Sequence, residues 1–291
     1  MEIKHFFDPD TYTLTYLVTD PATKDTVIID PVLDFDPPSG QIKDTSISEV
    51  IDYIKKEGLK IKGILETHAH ADHLSSSQIL KQLFPEAILG IGERIKVVQE
   101  VFKNHFNIDY LKTDGSQFDR LFKDNEELQF GSLKMKAIPT PGHTPACMSY
   151  LFKDAIFTGD ALFMPDYGTG RCDFPKGSSR DLFNSVSKNL YSLPDETRVF
   201  VGHDYSPNGR EMMFQTTIGE SKKGNIQLKA STTEEEFVTF REARDKTLKA
   251  PRLLLPSIQV NADGGHLPPK EDNKVSYLKL PLNVKTTLGS L

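Results

Sequence analysis

The chain has 291 residues, 37% hydrophobic and 26% charged, which suits one large α/β domain or two small ones with a substantial core. A formal charge of −6 gives no electrostatic reason to bind nucleic acid, and no run approaches the roughly eighteen apolar residues of a membrane span. Neither nucleic acid nor membrane is therefore expected as a partner. The N-terminus, MEIKHFFDPDTYTLTYLVTD, turns polar before an apolar stretch builds up, so no signal peptide is expected and the predicted location is the cytoplasm. The first thirty residues read as strands: 12–18 alternates, and Thr26 to Pro31 is a short buried strand closed by Asp-Pro. Residues 32–45, rich in Pro, Gly and Asp, predict a loop. Ser46 to Glu57 predicts a helix capped by Ser46 or Ser48, with Ile47, Val50, Ile51 and Ile54 on one face and Gly58 ending it.

The strand Ile61 to Glu66 runs straight into Thr67-His68-Ala69-His70-Ala71-Asp72-His73, and a helix is expected from about Leu74 to Phe84. Ala87–Ile91 predicts a strand, Glu93–Phe102 a helix, and 128–130 with 133–138 a hairpin around Gly131-Ser132. Strands follow at 148–152 and 155–158, then a long loop at 159–178, a helix at Arg180–Tyr191 and a strand at Arg198–Val201. Alternating strands and helices predict a layered α/β sandwich with mixed sheets. After about Arg210 the chain becomes more polar. Glu234–Lys249 reads as an exposed helix, and Pro251–Val284 as loop with short extended pieces. The expected organisation is a core over 1–210 and a C-terminal extension over 211–291 packed on it. Two cysteines, Cys147 and Cys172, are too few for a disulfide framework, and reduced buried thiols are expected.

Three histidines and an aspartate within His68-Ala69-His70-Ala71-Asp72-His73 carry the strongest chemical signal. That much polarity is costly to bury uncompensated, whereas imidazoles and a carboxylate on a loop after a strand can converge on a metal ion. A solvated polar turn would account for one histidine and poorly for three. His143, Asp160 and His203 each follow an apolar strand through a glycine-flanked turn. Singly, His143 or His203 would read as a surface histidine. With the other five residues, they read as metal ligands delivered to one edge of the sheets.

THAHADH, PGHTPACMSY, FTGDALF and VGHDY, spread over residues 12–205, resemble the metallo-β-lactamase superfamily. The resemblance implies an αββα four-layer sandwich with metals at one edge. His68, His70 and His143 would form a first position and Asp72, His73 and His203 a second, with Asp160 between. Gly168-Thr169-Gly170-Arg171-Cys172-Asp173-Phe174 and Gly202-His203-Asp204-Tyr205 are similar to the persulfide dioxygenases and to bacterial β-lactamase-like hydrolases. In that group a single Fe(II) would sit on His68, His143 and Asp160, a facial triad open to a substrate sulfur and O₂. His70, Asp72, His73 and His203 would then orient ligands or handle protons. The implied chemistry is oxidation of glutathione persulfide, or a related small persulfide, to sulfite and thiol. A homo-oligomer is compatible with the sequence.

Arg171 offers a planar fork for a substrate carboxylate and Tyr205 a hydroxyl. The alternative for Arg171 is an internal salt bridge to Asp173, and both roles stay open. Cys172 beside it is read as a small buried thiol rather than a sulfur relay. The stretch Pro256 to Asn261 is expected at the mouth of the site. The competing enzyme is a dinuclear zinc hydrolase of the glyoxalase II type, cleaving glutathione thioesters with two Zn(II), since all seven ligands are present. The non-enzyme alternative is a scaffold with a vestigial site, which would not need an intact ligand set.

Overall fold

Every residue of the second strand is buried, which a half-solvated sheet would not permit. The computed structural model, which describes residues 1–282, accounts for this with two different cores on the two faces of one sheet. Leu14, Tyr16 and Val18 point into one apolar cluster and Leu17 into another; Val27 and Ile29 are likewise separated from Ile28. The sheet is covered on both sides, so its strands are continuously apolar instead of alternating.

In chain order the strands are β1 (Glu2–Asp8), β2 (Thr13–Thr19), β3 (Asp25–Ile29), β4 (Val32–Asp36), β5 (Gln41–Lys43), β6 (Lys60–Leu65), β7 (Leu74–Ser75), β8 (Ile88–Gly92) and β9 (Arg120–Phe122). The second half adds β10 (Glu127–Phe130), β11 (Leu133–Pro139), β12 (Met148–Phe152), β13 (Ala155–Phe157), β14 (Arg198–Phe200) and β15 (Gln215–Thr217). The helices are α1 (Thr45–Glu57), α2 (Ser77–Leu83), α3 (Ile95–Phe106), α4 (Ser179–Asn184), α5 (Ile218–Gly224), α6 (Glu234–Asp245) and α7 (Leu254–Asn261). One six-stranded sheet has the order β1-β2-β3-β6-β8-β9, the other β10-β11-β12-β13-β14-β15, and β5-β4-β7 form a small third sheet. Both large sheets mix parallel and antiparallel pairs.

The inner faces of the two large sheets share a core that includes Tyr16, Phe130, Tyr150, Phe157 and Phe200, and Leu182 of α4, Val186 just beyond it and Phe237 of α6 pack against it. On the other face of the first sheet, Ile47, Val50 and Ile54 of α1, Val98 and Phe102 of α3, and Ile258 and Val260 of α7 close a second core. Helices, sheet, sheet and helices make the αββα sandwich. No helix among the described residues is long and apolar enough to cross a membrane.

Several expectations need correction. Residues 32–45 are not all loop: β4 pairs with β5 and, over a long sequence separation, with β7. The helix expected from Leu74 starts at Ser77, because Leu74 and Ser75 are held in that pairing. Helix α1 is preceded by Asp44 with no side-chain cap; Ser46 instead bonds Asp34 through its N–H (2.9 Å) and hydroxyl (2.7 Å). Gly58 ends it in the left-handed conformation, φ 62°, as expected. α4 widens into a π-helical stretch at Ser185–Leu190. α6 is not simply exposed, since Phe237, Arg241 and Asp245 are buried. Within 251–284 the chain forms the buried helix α7; residues 283 and 284 lie outside the described residues.

Candidate metal centre

Strand register explains why the ligand-type residues meet. β13 and β14 run parallel with Phe157 beside Phe200, and three residues past each lies Asp160 or His203. The two turns touch, the Gly202 N–H donating to the Gly159 carbonyl at 3.3 Å. Gly159 has φ +48°, and a Cβ there would stand 2.5 Å from Thr67 Oγ1, so only glycine lets this turn close on the histidine loop. β3 and β6 are also parallel, with Ile29 beside Leu65, which sets Asp30 next to the start of that loop. Asp30 accepts the Thr67 N–H (2.7 Å) and hydroxyl (2.8 Å).

Six of the seven residues sort into two groups. Donor atoms of His68, His143 and Asp160 lie within 4.8 Å of one another, as do those of His70, Asp72 and His203. Asp160 reaches both, with Oδ2 3.5 Å from His143 Nε2 and Oδ1 3.2 Å from His203 Nε2. This differs from the implied division into His68, His70, His143 and Asp72, His73, His203. His70 has its Nε2 3.0 Å from Asp30 Oδ1 and 3.3 Å from Glu66 Oε2. His73 stands in neither group; its Nδ1 is 3.2 Å from Asp72 Oδ2 and 3.3 Å from Thr13 Oγ1. A third acidic group, Asp30, Glu66 and His70, is engaged internally, since Glu66 also accepts the hydroxyls of Ser75 and Ser77.

His68 Nε2, His70 Nδ1, His73 Nε2, His203 Nε2 and Asp160 Oδ1 are buried without a hydrogen bond of acceptable geometry. Each such atom costs about 1–3 kcal/mol when left unpaired, and four of the five lie on residues of the two donor groups, which fits a metal ion better than a core. The far sides of the rings are tied back. His143 Nδ1 donates to the Arg171 carbonyl at 2.7 Å, His68 Nδ1 is 3.0 Å from Thr67 Oγ1, and His203 Nδ1 is 3.3 Å from the Tyr12 carbonyl. Such backing fixes ring orientation and leaves Nε2 aimed at the centre.

The electrostatics distinguish the imidazoles. Burial, with His70 adding to it, holds His68 well below the usual imidazole pKa, so its lone pair is free. Burial also disfavours charge on His70, but Asp30 and Glu66 outweigh it and raise that pKa well above the usual value. Burial would raise Asp160 and Asp72; the His203 charge overrides it and holds both below the usual carboxylate range. His203 is raised in turn to about 9, burial being overcome by Asp160 and Asp72.

A cavity of about 400 Å³ opens over the cluster and is lined by Arg171 and Tyr205. Tyr205 stacks on His203 (centroids 5.6 Å apart) and on Tyr167 (4.7 Å). Each nitrogen of the Arg171 guanidinium donates once: Nε and Nη2 to Asp173 (2.6 and 2.7 Å), and Nη1 to the Lys249 carbonyl (2.7 Å). The cations that sequence reasoning missed at this mouth are Arg244, Lys249 and Arg252, none ion-paired among the described residues. They lie in a polar stretch with no motif, so nothing local marked them. The parts played by Asp30 and Thr67 were missed too, the Asp-Pro after β3 having been read only as a strand end; Asn261 was expected at the mouth and instead bonds the His70 and His73 carbonyls. Pro256 to Asn261 forms no part of the cavity lining. Cys147 and Cys172 are free and buried, and burial pushes the Cys147 thiol up to about 12 and Cys172 well above its usual value.

The family model described as "Metallo-beta-lactamase superfamily" matches residues 8–203. The chain belongs to that superfamily. It is 48% identical to the protein named Glyoxylase B2 of Dictyostelium discoideum, over 97% of both chains. It is 31% identical to human "Persulfide dioxygenase ETHE1, mitochondrial", over 81% of this chain and 78% of that one. Among solved structures, the crystal structure of ETHE1 from Myxococcus xanthus superposes with a TM-score of 0.74 at 30% identity, covering 91% of this chain and 100% of the other. The superfamily indicates metal use, and the two His/Asp clusters are groups whose donor chemistry could hold a metal ion.

Proposed function

We propose that this superfamily member is an iron-dependent persulfide dioxygenase, oxidising glutathione persulfide or a related small persulfide to sulfite and thiol. The observation that carries the reading is the His68–His143–Asp160 group, two imidazoles and one carboxylate, all buried, with donor atoms within 4.8 Å. Two histidines and one carboxylate suit ferrous iron with positions left open. Fe(II), one per chain, would supply a place for a substrate sulfur beside O₂. The likeness to proteins named persulfide dioxygenase supports it. The reaction balances as RSSH + O₂ + H₂O → RSH + H₂SO₃, the terminal sulfur giving four electrons to O₂ and water supplying the third oxygen.

The chain's own residues have separable parts in this. Phe163, Phe174 and Tyr205 wall the cavity and exclude water, and the Arg171 carbonyl holds His143 in orientation. Arg244, Lys249 and Arg252, none ion-paired among the described residues, are the cations offered to the carboxylates of a substrate tail, Arg171 being paired with Asp173. The proposed location is the cytoplasm, where two free thiols would persist.

A dinuclear zinc hydrolase acting on glutathione thioesters is the second reading, favoured by the complete His70–Asp72–His203 group with Asp160 reaching both groups. The names Glyoxylase B2 and probable metallo-hydrolase among the relatives point the same way. Two Zn(II) would supply an activated water. Metal analysis separates the two. Protein made with iron available should carry about one Fe per chain, and Asp160→Ala, having lost the only carboxylate of the triad, should lose iron and persulfide-dependent oxygen uptake together. Two zinc ions per chain with full turnover, and metal retained in Asp160→Ala, would overturn the iron assignment.

A further inference from the structure

The family match ends at residue 203, yet the loop bearing four of the seven ligand-type residues is held from residue 261. Asn261 closes α7 and is 4% exposed. Its Oδ1 accepts the Ser75 N–H at 2.8 Å, and its Nδ2 donates to the carbonyls of His70 (2.8 Å) and His73 (2.7 Å). Both amide hydrogens and the oxygen are used, and the flipped amide would set oxygen against two carbonyls. Residues 66–73 form neither helix nor strand, so no ladder of backbone bonds fixes their path. Side chains do it: Asp30 holds Thr67 at one end, and Asn261 holds His70, His73 and Ser75 at the other.

α7 is a firm anchor. Ile258 and Val260 sit in the outer core, Gln99 donates to the Ala262 carbonyl (2.9 Å), and Gln78 to the Gly264 carbonyl (3.0 Å). We propose that Asn261 is a positioning residue of the metal centre: by holding the carbonyls of His70 and His73 it sets where the His70, Asp72 and His73 side chains point. The C-terminal helix is thereby part of the metal site. The inference rests on the metal-centre reading and is indifferent to which reaction follows.

Affinity for Co(II), read by chelator competition and by its absorption spectrum, tests this alongside thermal unfolding of the metal-free protein. Asn261→Ala should weaken metal binding roughly 10–100-fold, as loss of an orienting partner does, and should alter the spectrum. Ile258→Ala is the control: it empties a core position on the same helix without a bond to the loop, so it should lower Tm while leaving affinity within about twofold of wild type. Wild-type affinity and spectrum in Asn261→Ala would overturn the proposal, as would equal weakening by Ile258→Ala at equal loss of Tm. Should Asn261→Ala not fold, hydrogen exchange on the wild type decides. Coupling is reciprocal, so stripping the metal should speed exchange of the Ser75 N–H, and unchanged protection would overturn the proposal. Failure of the wild type to bind Co(II) would instead sink the metal-centre reading itself.

Discussion

Arg171 and Arg244 line the same cavity with opposite commitments. Arg171 spends its three nitrogens on Asp173 and the Lys249 carbonyl, and lies 5.7 Å from the Phe174 ring, so it shapes the wall. Arg244 is exposed at the mouth and forms no ion pair among the described residues, so it is available to an anion. Arg244→Ala should therefore raise KM for an anionic persulfide about fivefold, the equivalent of about 1 kcal/mol for a solvent-exposed charge pair, with kcat little changed. Arg171→Ala should instead lower Tm by about 2–4 °C, the effect of losing about 1 kcal/mol in a chain of this size. Steady-state kinetics and thermal unfolding on both variants check this; the reverse pattern would return the anchoring role to Arg171. Cys172 belongs to the wall as well. Its N–H donates to Asp245 at 2.8 Å and burial keeps its thiol protonated, so it packs rather than reacts.

At the scale of elements, α6 does what its composition hides. Its buried stripe is Phe237, Arg241 and Asp245, spaced every four residues. Two of those three are charged, so the helix reads as solvated until its partners are known. Arg241 pairs with Asp245 (2.6 Å) and donates to the Thr169 carbonyl (3.2 Å) and Gln227 (2.9 Å), while Asp245 accepts the Cys172 N–H. The pair pins the Gly168–Cys172 loop from the outside. Arg241→Ala would leave the buried Asp245 carboxylate without its ion-pair partner, which costs about 3–5 kcal/mol. Urea unfolding should show that loss, and a near-wild-type midpoint would contradict it. α7 was hidden for a different reason. It is buried nearly all round and carries Pro256, so neither an amphipathic period nor a clean helical propensity marks it. β4 and β7 escaped notice because a two-residue pairing across some forty positions leaves no local pattern.

Across the whole molecule, what was legible is what the chain writes locally. The strand-to-ligand junctions at His143, Asp160 and His203 and the His68 to His73 run needed only short segments to be read, and their convergence followed from two parallel registers. The division into His68–His143–Asp160 and His70–Asp72–His203 was legible only in its first half, which the family motifs implied; the second group, without His73, was not, because it depends on ring orientations set by Asp30, Glu66 and Thr13 from elsewhere in the fold. That division is also where the two chemistries part, since one group suffices for iron and O₂ while both are needed for paired zinc and water. The decisive measurement is what turnover consumes. With glutathione persulfide, the iron-loaded protein should take up oxygen and release sulfite in equal amounts, and it should cleave S-lactoylglutathione poorly whether or not oxygen is present. Brisk anaerobic thioester cleavage with no persulfide-dependent oxygen uptake would contradict the account.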